Sequence, residues 1–379
     1  MSRAPRRKST APEWPKPVPP GDTRDRGGQA QPMLLVENLR KYFAIRGGLL
    51  NRKIGDVKAV DGITFAVFKG ETLGIVGESG CGKSTLARLL MGLIPAEGGK
   101  IVFDGDPVGG PSGLTLRELR RNLQMVFQDS DSSLNPRLPI EESVAYGPRV
   151  QGATRDATKK TTQDLLQRVG LRPDLFGGRY PHELSGGQKQ RVNIARALAL
   201  NPRMLILDEA VSALDKSIEA QVLNLLRYLK RHFNLTYIFI SHDLNVVQYI
   251  ADRVMVMYLG EVVEIGPSES IYHQARHPYT RALLDSRLAL DPADRVETAP
   301  LTGDPPNPIQ PPSGCRFRTR CEFAEDMCAT TAPALGESLD RASHRAACHM
   351  ANPASGHKRA GQLPSVARPA AMMYSVEAS

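Results

Sequence analysis

The chain alternates short apolar runs with longer stretches in which apolar residues recur at helical spacing. The runs 73–76, 204–207 and 236–240 are apolar on both sides, which is typical of parallel strands buried on both faces. A helix predicted from Lys83 and closed by Pro95 follows from the spacing of Leu86, Leu89, Leu90 and Leu93. This alternation of strands and helices predicts an α/β sheet.

Weaker patterns complete the predicted order of elements. Further strands are predicted at 34–36, 62–67, 100–105, 123–127, 253–258 and 261–265, and further helices at 115–122 and 188–200. Residues 133–183 are polar and mostly of helical pattern, with Gly and Pro punctuation, so we predict an insertion between core strands. No internal repeat is visible, which favours one unit of this fold over two fused ones.

The two ends of the chain differ from its middle in composition. The formal charge is +9, but residues 1–32 carry +4 and residues 350–379 carry +2, which leaves +3 for the 317 residues between. Both ends are rich in Pro, Ser, Ala and Gly, so we predict disordered, solvated tails rather than a nucleic-acid-binding arm. A weak attraction of the N-terminal tail to anionic lipid stays open.

The hydropathy pattern indicates where in the cell the protein resides and where its domains begin and end. No run of eighteen apolar residues occurs, and the basic N-terminus lacks the apolar stretch of a signal peptide. We therefore expect an intracellular protein, soluble or peripheral on a membrane, whose folded part begins near Met33. Residues 266–349 contain Pro-rich segments and few apolar residues, which predicts a small appended domain that needs a staple to fold securely.

A complete phosphate-binding loop lies between the strand 73–76 and the helix at Lys83. Its glycines let backbone N–H groups turn towards phosphates, and the helix N-terminus adds partial positive charge. Lys83 is predicted to reach the β- and γ-phosphates of ATP, and Ser84 to ligate Mg²⁺. Cys81 is expected to be a small residue in the loop, although a helix N-terminus could lower its pKa and make it alkylable. The loop reads Gly77, Glu78, Ser79, Gly80, Cys81, Gly82, Lys83, Ser84 and Thr85.

Polar residues at other strand ends complete a hydrolytic set. Asp208 ends the strand 204–207, so its carboxylate is predicted to reach Mg²⁺, and Glu209 is predicted to orient or deprotonate the attacking water. Gln128 also ends a strand and is placed to contact Mg²⁺ or that water. His242 follows the strand 236–240 and is predicted to hydrogen-bond the γ-phosphate. Hydrolysis is therefore predicted to be intact.

A second anion site is predicted at Ser185, Gly186, Gly187 and Gln188, which offer a hydroxyl, bare amides and a helix N-terminus. One ATP cannot use both anion sites of one chain if they lie far apart. Two chains facing head-to-tail can enclose two ATP molecules, each between one phosphate loop and the partner's Ser-Gly-Gly. Binding would then close the pair and hydrolysis would open it.

In this order and spacing the motifs resemble the ATP-binding-cassette (ABC) family, over about residues 33–265. The resemblance implies a RecA-like core, an antiparallel β-subdomain and a helical subdomain at about 133–185. It also implies that Tyr42 stacks on adenine, with Phe43 as the neighbouring alternative. Gln128 would lie in the loop coupled to membrane subunits, and Ala213-Leu214-Asp215 would contact the second cassette.

Three further segments resemble the ATPase subunits of oligopeptide, dipeptide and nickel importers: 133–137, 277–284 and 314–321, with the insert 46–58 in agreement. This resemblance implies import powered at the cytoplasmic face of the inner membrane. The partners implied are a second ABC ATPase subunit, two integral membrane permease subunits and an extracytoplasmic substrate-binding protein. Peptides are the expected cargo, with nickel, glutathione, opines and sugars as alternatives among similar importers.

Four of the five cysteines fall within 34 residues near the C-terminus: Cys315, Cys321, Cys328 and Cys348. Four clustered thiols in a reducing compartment favour metal ligands over disulfides. The importer resemblance favours a [4Fe–4S] cluster with a structural role. Zn²⁺, with His344 or His349 as an added ligand, is the second reading, and unligated buried thiols are the third.

Two other classes of function compete with the importer. A soluble ABC ATPase acting on nucleic acid would suit the positive charge, but the chain has no second cassette, coiled-coil insertion or basic folded domain. An exporter ATPase is disfavoured by the C-terminal segment. We therefore expect no nucleic acid among the partners.

Overall fold

The computed structural model describes residues 28, 31–47, 51–286 and 303–362. The predicted tails lie mostly outside these residues. The chain divides into two compact units: a helical unit, Arg117–Tyr237, and a sheet unit made of the described residues of Arg26–Leu116 and Ile238–Ser379. The boundary lies inside a strand.

The strands combine antiparallel and parallel pairing. Their bounds are β1 Pro32–Gly47, β2 Arg52–Phe68, β3 Thr72–Val76, β4 Gly98–Phe103, β5 Asp106–Pro107, β6 Leu123–Val126, β7 Met204–Asp208, β8 Thr236–Ile240, β9 Arg253–Tyr258, β10 Glu261–Pro267 and β11 Arg345–Ala346. Strands β2, β1, β4 and β5 form an antiparallel sheet in that order. In the sheet unit β3 runs parallel to β9, and in the helical unit β6 runs parallel to β7.

The predicted strands 73–76, 204–207 and 236–240 are confirmed, and every residue of β3, β7 and β8 is buried. The first hairpin is much longer than predicted, since β1 and β2 span 16 and 17 residues. The insert noted at 46–58 is therefore largely the far end of this hairpin, where Gly47 pairs with Arg52.

The helices follow the predicted pattern with shifted ends. Their bounds are α1 Lys83–Leu90, α2 Leu116–Asn122, α3 Ile140–Val150, α4 Arg155–Arg168, α5 Pro173–Phe176, α6 Gly186–Leu198, α7 Lys216–Phe233, α8 Leu244–Ile250, α9 Ser268–His273, α10 Pro278–Asp285 and α11 Asp326–Thr330, with a 3₁₀ turn at Pro181–Glu183. Helix α1 ends at Leu90, before the predicted stop at Pro95, because Gly92 takes a left-handed conformation with φ of 61°. In the described ranges no helix combines the length and the hydrophobicity needed to cross a bilayer.

Within the sheet unit, the C-terminal region is held to β10 through Glu264, which is wholly buried. Its carboxylate accepts hydrogen bonds from the amides of Arg276 and His277 at 2.6 and 3.0 Å, and it lies 2.7 Å from His344 Nε2. Strand β11 adds to the edge of β10 beside it. Two separate segments, 276–277 and 344–346, therefore meet the strand β10 at one carboxylate, in a region that has little regular structure.

The ordered C-terminal region extends beyond the predicted boundary at 349. His357 is buried, and its Nε2 lies 3.0 Å from the carbonyl oxygen of Phe323. The amide of Gly361 donates to the Met350 carbonyl at 2.9 Å. Residues 350–362 thus pack on the region that they follow, whereas 363–379 lie outside the described residues.

The buried ion pair of Arg253 and Glu71 joins the start of β9 to the turn between β2 and β3, with Nη1 and Oε1 3.2 Å apart. Both side chains are 2% exposed, and the second cation at Glu71, Arg341 at 3.3 Å, is 54% exposed. Removing Arg253 therefore takes the buried cation from a carboxylate whose pKa burial already raises. We expect Arg253→Met to lower the free energy of unfolding by about 3 kcal/mol, measured by urea denaturation. The matched control is Arg172→Met, which removes the cation of an exposed pair with Asp174 and is expected to leave the unfolding midpoint unchanged. Equal midpoints for the two variants would contradict this role.

Candidate nucleotide site

The phosphate loop runs from β3 into α1 with three glycines at positive φ: Gly77, Gly80 and Gly82. A Cβ on Gly77 would lie 2.2 Å from the Met257 carbonyl oxygen, and one on Gly82 would lie 2.1 Å from that of Ala59. A Cβ on Gly80 would meet nothing within 4 Å. The loop is therefore pressed against backbone on one side and open at Gly80, and the residues present fit the phosphates of a nucleotide.

Lys83 spans this loop from the first residue of α1. Its side chain is buried, and Nζ donates to the carbonyl oxygens of Gly77 and Glu78 at 2.7 and 3.0 Å. The ammonium group thus lies along the inside of the loop, and its contact with the β- and γ-phosphates stays a prediction. Ser84 and Thr85 follow in the first turn of the helix and are partly exposed.

Cys81 is a buried residue of the loop, and the structure does not support the alternative that a helix N-terminus makes it reactive. Its side chain is 3% exposed, and burial raises the pKa of the thiol above its ordinary value despite the nearby Lys83 ammonium. The alternative of a lowered pKa fails because loss of hydration outweighs the local positive charge.

Glu78 is a residue of the phosphate loop for which the sequence predicted no side-chain contact. Its carboxylate makes a two-point ion pair with Arg320, with 2.8 Å between Nη1 and Oε2 and 3.0 Å between Nη2 and Oε1. Its backbone N–H donates to the Tyr279 hydroxyl at 2.9 Å. Sequence reasoning noted the segments 277–284 and 314–321 but missed both contacts.

Tyr42 lies on β1 of the sheet unit, and its hydroxyl donates to Asp61. Burial and the Asp61 carboxylate together raise the pKa of Tyr42 to about 12. Burial opposes ionisation of Asp61, but hydrogen bonds from Tyr42 and Arg316 outweigh it and keep the Asp61 pKa below its usual range. Phe43 is more exposed, with the Lys41 ammonium 5.5 Å from its ring centre. Stacking on adenine stays a prediction, with both rings as candidates.

In the helical unit the structure brings Gln128 and Glu209 together. Gln128 Nε2 donates to Glu209 Oε2 at 2.8 Å, although the residues lie 81 positions apart. Glu209 has a φ of 49°, an uncommon backbone conformation for a residue with a side chain. Asp208 precedes it at the end of β7 and is buried. The carboxylate predicted to handle water is therefore oriented by both its backbone and an amide partner.

His242 belongs to the sheet unit and is exposed. The preceding residue, Ser241, donates its amide to the Ile75 carbonyl at 3.2 Å. Because Ile75 lies on β3 just before the phosphate loop, His242 leaves the sheet beside the strand that leads into the loop. Its contact with a γ-phosphate stays a prediction.

Ser185 caps α6 with a reciprocal pair of hydrogen bonds. Its hydroxyl accepts from the Gln188 amide at 3.4 Å, and the Gln188 side-chain oxygen accepts from the Ser185 amide at 3.0 Å. The Gln188 side chain thus serves the helix cap. Ser185 and Gly186 remain exposed at the start of the helix.

The segment predicted to contact a second cassette lies against this helix start. A Cβ on Gly187 would lie 2.4 Å from Ile218 Cγ2, and one on Gly186 would lie 3.7 Å from Leu214 Cδ2. Asp215, between those two side chains in sequence, is exposed. The structure therefore places the Ser-Gly-Gly segment and the 213–215 segment on one surface of the helical unit.

The cysteine prediction is not supported by the described residues. All five cysteines are free, and no group of three or more His, Cys, Asp or Glu side chains in the described ranges is arranged to hold a metal ion. Burial raises the thiol pKa of Cys315 to about 11 and of Cys321 to about 12, and nearby thiols add to both shifts. Without a bound metal, these two thiols therefore favour the neutral form.

The histidines considered as added zinc ligands are engaged elsewhere. His344 lies against Glu264, and His349 Nε2 lies 2.9 Å from the Thr331 carbonyl oxygen. Among the described residues, no group of side chains is therefore arranged to coordinate either a [4Fe–4S] cluster or Zn²⁺.

Comparison with known proteins relates both parts of the chain to transporter ATPases. Residues 60–212 match the ABC transporter family, and residues 263–328 match the oligopeptide/dipeptide transporter C-terminal region. The oligopeptide transport ATP-binding protein AppF of Bacillus subtilis is 49% identical over 84% of this chain and 97% of its own length. The oligopeptide transport ATP-binding protein OppF of Salmonella typhimurium is 46% identical over 86% and 98%.

Solved structures agree with the fold. The cbiO1 protein of Clostridium perfringens, part of an ABC transporter complex, aligns with a TM-score of 0.55 at 29% identity, over 68% of this chain and 96% of its own. A dimeric ATP-binding cassette in a post-hydrolysis state, bound to ADP and Pi, aligns with a TM-score of 0.54 at 28% identity, over 62% and 99%. The α/β cassette fold predicted from the motifs is confirmed, and the chain belongs to the ABC transporter family of ATPases, in the group with the oligopeptide/dipeptide-type C-terminal region.

Proposed function

We propose that this chain binds and hydrolyses ATP to drive the import of di- or oligopeptides by an ABC transporter. The observation that carries the proposal is the presence, on one chain, of the phosphate loop with its buried lysine and of an oligopeptide/dipeptide-type C-terminal region. The names of the relatives AppF and OppF, both oligopeptide transport ATP-binding proteins, support the choice of peptide as cargo.

The chemistry follows from the side chains at the site. Lys83 and the loop amides would neutralise the ATP phosphates, and Ser84, Gln128 and Asp208 would hold Mg²⁺. Glu209 would orient a water for attack on the γ-phosphorus and accept its proton as the bond to the bridging oxygen breaks. The hydrogen bond from Gln128 favours one orientation of that carboxylate. His242 would donate to the γ-phosphate and stabilise the charge that develops there.

Assembly supplies the rest of the site in this proposal. The exposed Ser185–Gly187 segment and Asp215 of a second ATPase subunit, identical or similar, would close over each nucleotide. The pair would dock on two integral membrane permease subunits at the cytoplasmic face of the inner membrane, and an extracytoplasmic binding protein would deliver the peptide. Membership in a transporter family supports these partners, and the order of closure and opening gives hydrolysis a mechanical output.

Lys83→Ala tests the phosphate loop. We expect the dissociation constant for Mg²⁺–ATP to rise at least about tenfold, because a charge-assisted contact to phosphate is lost. Isothermal titration calorimetry on the full chain measures it. Lys100→Ala, at an exposed position on β4, is the matched control and should bind as the parent does. An unchanged dissociation constant in Lys83→Ala would contradict the role of this loop in binding the ATP phosphates.

Glu209→Gln tests the hydrolytic residue. We expect ATP binding to persist while turnover falls at least about a hundredfold, because the amide cannot accept a proton. The variant should accumulate as a nucleotide-bound dimer, measured by analytical ultracentrifugation with ATP. Glu141→Gln, at an exposed position in the same unit, should keep normal turnover. Normal turnover in Glu209→Gln would exclude it as the base.

The proposal extends to a [4Fe–4S] cluster, or Zn²⁺, bound by the four cysteines near the C-terminus. The described residues do not form a group that fits such a metal. What supports it is that four thiols lie within 34 residues and that Cys315, Cys328 and Cys348 are close enough to Cys321 to act on its charge. Anaerobic purification with iron and zinc analysis tests it: a cluster gives about four irons per chain and an absorption band near roughly 400 nm. Absence of both metals would leave these cysteines as buried thiols and the ATPase proposal intact.

A further inference from the structure

A short stretch of the C-terminal region lies directly on the predicted nucleotide site. This stretch, Arg316–Arg320, is called the arginine segment here and lies between Cys315 and Cys321. Phe317 anchors it, with its ring centre 5.4 Å from those of Tyr258 and Tyr279. The two tyrosines lie 4.6 Å apart, and all three rings are buried. Such packing fixes the backbone from which the two arginines extend.

Arg320 reaches the phosphate loop itself. Its side chain is 5% exposed and pairs with both oxygens of Glu78, which is 23% exposed. A planar two-point pair sets the direction of the carboxylate as well as its charge. The loop must receive the polyanionic phosphates of ATP, so an unpaired Glu78 would repel the ligand and could rotate towards it.

The backbone of Glu78 is held from the same side. Its N–H donates to the hydroxyl of Tyr279 at 2.9 Å, and Tyr279 contacts Phe317 of the arginine segment. Both the amide and the carboxylate of Glu78 are therefore turned towards the C-terminal region. This arrangement fixes the second residue of the loop, next to Gly77, whose carbonyl oxygen accepts from Lys83.

Arg316 makes an analogous contact on the side of Tyr42. Its guanidinium donates to Asp61 and to the Leu259 carbonyl oxygen, and Nη2 lies 2.9 Å from Glu261 Oε1. Asp61 in turn accepts the hydroxyl of Tyr42, the residue predicted to stack on adenine. The two arginines of one segment thus reach the phosphate side and the predicted adenine side of the site.

We propose that Arg320 is a positioning residue for ATP: it neutralises Glu78 and holds it away from the phosphates, so that the loop presents N–H groups and Lys83 rather than a carboxylate. Arg316 has the parallel role for Tyr42 through Asp61. The proposal rests on ATP occupying the phosphate loop. It makes the C-terminal region part of the nucleotide site, whereas a simple anchor would affect only stability.

The test compares ATP hydrolysis by full-length variants at several ATP concentrations, with thermal unfolding in parallel. Arg320→Met keeps the length of the side chain and removes its charge. We expect its KM for ATP to rise about tenfold, with kcat within about twofold of the parent, because an interaction that acts on binding is lost. Arg320→Lys should recover part of the loss, since it restores the charge but not the two-point geometry.

The matched control is Arg318→Met, which removes a guanidinium of the same segment whose Nε donates to the Ser313 carbonyl at 3.0 Å. It should leave KM unchanged. The decisive variant is the double change Arg320→Met with Glu78→Gln. If Arg320 acts by neutralising Glu78, removing the second charge should return KM to within about threefold of the parent, a coupling that a double-mutant cycle measures.

The measured KM and the unfolding temperature together distinguish a positioning role for Arg320 from a purely structural one. A raised KM that Glu78→Gln reverses supports the proposal, and a lower unfolding temperature with unchanged KM overturns it in favour of an anchor. If Arg320→Met does not fold, Arg320→Lys carries the same comparison with and without Glu78→Gln. If Lys83→Ala also leaves ATP affinity unchanged, the site is misplaced; if only the Arg320 variants are silent, this inference alone fails.

Discussion

The phosphate loop depends on the close approach of backbone to backbone. The loop glycines Gly77 and Gly82 lie so near the carbonyl oxygens of Met257 and Ala59 that a Cβ would overlap them. A Cβ on Gly260, in the β9–β10 turn, would lie 2.3 Å from the Lys58 carbonyl oxygen. The Gly260 amide donates to the Cys81 carbonyl oxygen at 2.9 Å. Strand β2, the β9–β10 turn and the loop thus fit together only where side chains are absent. A loop held in this way can present its amides without reorganising, which is what binding a polyanion requires.

Much of this architecture could be predicted from the sequence because the determining signals are local. The strands at 73–76 and 204–207 are continuous apolar runs, and the loop and the Ser185–Gly187 cap use residue types that few other conformations demand. The far end of the first hairpin was not foreseen, because residues such as Arg52 and Lys53 are exposed and show no alternation. The order of residues 350–362 was missed for a related reason: its contacts are turns and one buried histidine in a polar segment.

The contacts that the sequence could not give are those between distant residues whose types are common. Arg320 and Glu78 lie 242 positions apart, and Arg316 and Asp61 lie 255 apart. An arginine and an acidic residue carry no pattern that selects one partner among many. The segment 314–321 was singled out for its resemblance to importer ATPase subunits, whereas the structure shows contacts of its arginines with the nucleotide loop and with β2. In the same region Glu264 joins two segments to β10 by hydrogen bonds, and nothing in its sequence surroundings marks it.

The arginine segment has a consequence for the inheritance of this chain. Its charges lie in the C-terminal region, whereas their partners Glu78 and Asp61 lie in the cassette. Exchange of the C-terminal region for one without arginines at positions 316 and 320 would remove each cation from its anion and leave the partly buried Glu78 and Asp61 carboxylates unmatched. The two parts can therefore be replaced freely only as a compatible pair. The C-terminal region and the cassette are therefore joined by charge pairs that neither part can complete alone.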